Sequence, residues 1–60
     1  MNEQDFKTVE AMQTYGGSFV KALAECFHRA DPHNFTMLKL AFLNYWTQYE
    51  MMTKEPKMNK

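Results

Sequence analysis

Asp31-Pro32 falls at the midpoint of a 60-residue chain, and this pair limits how much helix the chain makes in one piece. A residue before proline is pushed out of helical geometry, aspartate accepts hydrogen bonds from the amides of a following helix, and proline fits the first helical position. One helix must end there and another begin. Upstream, apolar residues recur at Phe6, Val9, Met12, Gly16, Phe19, Leu23, Cys26 and Ala30, a spacing of three and four that keeps them on one helical stripe. Val20, Ala24 and Phe27 add an adjoining row. Downstream, Phe35, Leu38, Phe42, Tyr45, Tyr49 and Met52 repeat the same spacing up to about Thr53.

The pattern predicts an all-α fold. Two helices, each roughly 30–37 Å long at about 1.5 Å per residue, are joined by one or two residues and therefore run antiparallel. Residues 1–53 form this hairpin domain, and residues 54–60, which lack periodicity and contain Pro56 and three lysines, form a flexible basic tail.

A chain this short buries only about 60% of the surface its unfolded form exposes, and one core of this size seldom contributes more than about 3–5 kcal/mol. Its single cysteine, Cys26, cannot close an internal disulfide, which leaves oligomerisation as the staple. Met37, Leu40, Leu43 and Trp46 fall outside the main stripe of the second helix, where a single partner helix leaves them uncovered. A two-fold homodimer that closes a four-helix bundle covers them economically.

Acidic and basic side chains balance at seven each, so the chain carries no field that would draw duplex nucleic acid. No apolar run is long enough to span a bilayer, and the polar start Met1-Asn2-Glu3-Gln4-Asp5 is not that of a secretion signal. The expected location is the cytoplasm. A metal centre is not expected: Cys26 and His28 point to different sides of a helix and His33 lies past the turn, so no tetrahedral set forms within one chain. No cofactor is expected. Nor is catalysis, since no carboxylate pair or activated nucleophile is visible. Glu25, Arg29, Lys39 and Glu50 read as a solvated face, with Glu25 and Arg29 at the favourable four-residue spacing.

Tyr15-Gly16-Gly17-Ser18 interrupts an otherwise regular helical stripe. Each glycine costs about 1 kcal/mol relative to alanine in a helix interior, so the pair calls for a reason. One reason is structural: glycine permits close approach of another segment. The other is functional. A break at Gly16 and Gly17 lets Ser18 cap a helix beginning at Phe19, with Lys21 in its first turn, and the free amides and the lysine together suit a phosphate or carboxylate. Tyr15 and either Trp46 or Tyr49 then supply rings on which a base stacks. The candidate ligand-binding set is therefore Tyr15, Gly16, Gly17, Ser18, Lys21, Trp46 and Tyr49.

The stretch from Tyr15 to Tyr49, with its Tyr-Gly-Gly-Ser-Phe-Val opening, its Ala-Asp-Pro-His-Asn turn and its Tyr-Trp near the end, resembles short helical proteins encoded by tailed bacteriophages and prophages. More loosely, it is similar to the compact helical phage anti-defence proteins that act as sponges for nucleotide immune signals. The resemblance implies a non-enzymatic homodimer in the host cytoplasm that sequesters a small phosphate-bearing nucleotide messenger, with the glycines and aromatics at the dimer interface. The alternative is a helical protein–protein interaction module that inhibits or recruits a host protein.

Overall fold

A computed structural model describes residues 1–54. The chain is all-helical, with no strand among the described residues: α1 spans Glu3–Tyr15, α2 Ser18–Arg29, α3 Pro32–Ala41 and α4 Leu43–Lys54. The expected hairpin of two long helices is corrected to four shorter ones, because each long helix is broken once. Lys54, expected as the first residue of a flexible tail over residues 54–60, closes α4; the rest of that expected tail, residues 55–60, lies outside the described residues.

Two of the three breaks have a local cause in the sequence. At Gly16 and Gly17 two consecutive residues are extended, with φ/ψ of −77/159° and −75/−172°. One bond of the α1 ladder, from Gly16 N–H to the Met12 carbonyl, survives into the break at 2.9 Å. At Ala30-Asp31 the turn follows the sequence signal: the Asp31 carboxylate accepts from the Asn34 amide at 2.8 Å and Pro32 opens α3. The third break is Phe42, at φ/ψ −120/41°. Its amide still donates to Leu38 O and its carbonyl accepts from Trp46 N, both at 3.0 Å. A single residue therefore shifts the helical phase while the ladder continues on both sides.

The phase shifts decide what is inside. Val9 and Met12 of α1, Val20, Leu23, Ala24 and Phe27 of α2, Phe35 of α3, and Trp46 and Tyr49 of α4 form one core. Its centre is aromatic: Phe27, Phe35 and Trp46 pack with ring centroids 5.0–5.5 Å apart, in the tilted and edge-to-face arrangements that aromatic pairs favour. In α2 the row expected to be secondary, Val20, Ala24 and Phe27, is buried together with Leu23 of the expected seam, whereas Phe19 and Cys26 of that seam are exposed. In α4 Trp46 replaces Tyr45 on the inner face and Met52 is outside. From Phe42 onward the inward stripe runs Phe42, Trp46, Tyr49, Thr53.

Close backbone packing joins α1 to α2, α1 to α4 and, less extensively, α3 to α4. Gln4 Nε2 donates to Thr53 Oγ1 at 2.9 Å, tying the first turn of α1 to the last turn of α4. The molecule is 17 Å thick along its shortest axis, which accommodates two helix layers at an interaxial spacing of about 8–10 Å and no more. Every helix therefore keeps one face outward.

Candidate functional site

The glycine break places α2 with an open N-terminus. In a helix the first amides lack intrahelical acceptors, and the α2 cap is Gly17, which has no side chain to satisfy them. The first intrahelical bond is Lys21 N–H to Gly17 O at 2.8 Å. α1 and α3 differ, being capped by the side chains of Asn2 and Asp31. Ser18 is the first helical residue and not the cap expected of it. Lys21 lies in the first turn, is exposed, and forms no ion pair among the described residues.

The two glycines have different roles. A Cβ on Gly16 would stand 2.5 Å from the Met12 carbonyl oxygen and 2.5–2.6 Å from Val20 Cγ1 and Cβ, whereas one on Gly17 would meet nothing within 4 Å. Gly16 is the close-approach glycine that lets α2 fold back on α1; Gly17 is open to solvent. The structural reason considered for the pair is visible at Gly16, while Gly17 has open space around it.

The remaining candidates part company. Tyr15, Gly16, Gly17, Ser18 and Lys21 stay together by contiguity, with the Tyr15 side chain exposed. Trp46 and Tyr49 are core residues, 1% and 7% exposed, so neither shows a ring face at the surface. The Trp46 indole packs on Phe27 and Phe35, its ring is covered by the Lys39 ammonium at 4.9 Å, and its Nε1 has no acceptor among the described residues. Aromatics that do reach the start of α2 are Phe42 and Tyr45, which contact Phe19 with centroids 6.0 and 5.7 Å apart. Sequence reasoning passed over this trio because it assumed one continuous helical phase from Phe35 to Tyr49. The signal that finds it is the four-residue step from Phe42 to Trp46, which leaves Tyr45 outside.

Two apolar surface features accompany the trio. Phe19, Leu40, Leu43 and Tyr45 stand exposed around the α3–α4 junction. An open, mainly apolar groove of about 450 Å³ between α2 and α3 is lined by Cys26, Arg29, Ala30, Asn34, Met37, Leu38 and Ala41.

Polar contacts elsewhere read as structural. Arg29 Nε donates to Glu25 Oε2 at 2.8 Å, as the spacing predicts. His28 Nε2 lies 3.8 Å from Glu10 Oε2 and its ring meets Phe6 edge-on, linking α2 to α1. Buried Thr8 donates to the Gln4 carbonyl at 3.1 Å. No cluster of three or more His, Cys, Asp or Glu suited to a metal occurs among the described residues, and no helix among them is long and apolar enough to cross a membrane. The chain shows no match to a protein family, to a curated protein or to a solved structure.

Proposed function

We propose that this chain is a non-catalytic helical assembly module whose first partner is a second copy of itself. One observation carries the reading: after the single-chain core has closed, Phe19, Met37, Leu40, Leu43 and Tyr45 are still exposed on α2, α3 and α4. Isolated exposed apolar residues are ordinary, but a cluster of long ones on a chain with so small a core marks an association surface. Balanced charge means that copies do not repel one another. Sedimentation velocity over a concentration series tests this: the expected result is a reversible shift from one-chain to two-chain mass with a melting temperature that rises with protein concentration. A folded species of one-chain mass throughout the series overturns it.

A second reading is favoured by the uncapped start of α2. Gly17 leaves the amides of Ser18, Phe19 and Val20 without a side-chain acceptor, Lys21 adds a full charge, and exposed Tyr15 stands beside them. This arrangement suits the phosphate of a small nucleotide-type ligand, and a protein of the sponge kind would use it to sequester such a signal. Tyr15, not Trp46 or Tyr49, is then the stacking ring. Isothermal titration with cyclic dinucleotides and ADP-ribose derivatives checks it: heat that disappears in Lys21→Glu supports this reading, and absence of heat from every ligand in the wild type removes it.

A further inference from the structure

We infer that the half-enclosed cavity where the starts of α1 and α3 meet the end of α2 binds a small organic cation, a primary amine carried on an apolar body. The inference does not depend on self-association. The cavity measures about 330 Å³, and its lining includes Asp5 of α1, Phe27 and His28 of α2, Ala30 of the turn, and Phe35 and Thr36 of α3. That volume lies at the lower end of the roughly 300–1,000 Å³ usual for small-molecule pockets. The floor is apolar, because Phe27 and Phe35, 1% and 9% exposed, are the rings that pack on Trp46 in the core.

Charge selects the head of the ligand. Asp5 is half-buried, and its carboxylate forms no ion pair among the described residues. Met1 also borders the cavity, but its amino group does not pair with Asp5 either. The lining contains no lysine or arginine, and Glu10 adds further negative charge 3.8 Å from His28 Nε2. An anion is repelled by this arrangement. A neutral apolar ligand strips water from the carboxylate and returns nothing, which costs free energy. A metal ion needs several ligands, and no group of three or more His, Cys, Asp or Glu is available among the described residues. An ammonium both neutralises Asp5 and donates charge-assisted hydrogen bonds to it. The Thr36 hydroxyl, which donates to Pro32 O at 3.1 Å, keeps a lone pair for another of the ammonium protons.

Three probes of similar size separate head from body: phenethylamine, phenethyl alcohol and phenylacetate. Each is titrated into the full chain and followed by amide shifts in proton–nitrogen correlation spectra. The expected result is roughly millimolar binding of the amine, with shifts centred on Asp5, His28 and Thr36. The alcohol binds at least about tenfold more weakly, since charge-assisted hydrogen bonds are roughly twice as strong as neutral ones. Phenylacetate leaves the spectrum unchanged. Asp5→Asn lowers the affinity for the amine to that for the alcohol. Ala30→Leu, at a half-buried turn position with extended backbone, fills the cavity and removes binding of both probes while Asp5 stays in place. Equal affinity for amine and alcohol, an undiminished response in Asp5→Asn, or shifts confined to other faces of the molecule overturns the site. Where Asp5→Asn fails to fold, Ala30→Leu decides alone, and amine binding retained in that variant also overturns it.

Discussion

Gly16 and Gly17 are neighbours in the chain with opposite tolerances. Gly16 is confined by the Met12 carbonyl and the branched Val20 side chain at 2.5 Å, neither of which swings aside at little cost. Gly16→Ala is expected to destabilise by about 1–3 kcal/mol through overpacking, with a lower urea midpoint at unchanged slope. Gly17 faces open space at φ −75°, a conformation open to any L-residue. Gly17→Ser is expected to stabilise by a few tenths to about 1 kcal/mol, because the hydroxyl caps α2 and the unfolded chain loses freedom. Thermal melts of the two variants should move in opposite directions. A matching sign for both would show that the close approach and the open cap have been assigned to the wrong residues.

Among the elements, α3 is held least firmly. It has ten residues and buries only Phe35, whereas α2 buries Val20, Leu23, Ala24 and Phe27. Local opening follows buried contact, so the α3 amides should exchange hydrogen faster than those of α2. Asp31→Ala removes the carboxylate that accepts from Asn34 and should cost about 1 kcal/mol, with the added exchange concentrated in α3. Uniform exchange across the four helices would contradict this ordering. How far these elements were legible in the sequence depends on the kind of signal. Asp31-Pro32 announced its turn through backbone chemistry confined to two residues, and the helical character of both halves followed from apolar spacing. Phe42 announced nothing, because no residue type at that point forbids a continuous helix; the kink is set by packing Phe35 and Trp46 against the same Phe27. Once the phase had slipped there, Trp46 moved from the expected outer face to the core and Tyr45 moved out. The stacking role expected of Trp46 depended on that phase. The interruption at Gly16-Gly17 was readable because two adjacent glycines need no register, whereas the cap expected at Ser18 falls on Gly17.

At the level of the molecule, exposed ion pairs add little. The Lys7–Glu3 and Lys54–Glu50 contacts, at 4.0 and 3.6 Å, lie at the surface, where such pairs are worth about 0–1 kcal/mol and are screened by salt. Raising sodium chloride from about 0.05 to about 0.5 M is therefore expected to shift stability by no more than about 1 kcal/mol. Sodium sulfate, which strengthens apolar burial, should raise both the melting temperature and the dimer fraction. A strong loss of stability in sodium chloride would instead place the cohesion of the chain in its charges.

The bond from Gln4 to Thr53 makes the described fold almost a closed ring. Residues forty-nine positions apart touch, so a short glycine-serine bridge from the end of α4 to Asn2 would span very little space, and new termini could be opened at solvent-facing Gly17 without crossing a buried strut. Such a circular permutant retains every helix and leaves the start of α2 as a free amino terminus. It converts a solvent-facing corner of the molecule into an attachment point for a fluorophore or a fusion that makes no demand on the core.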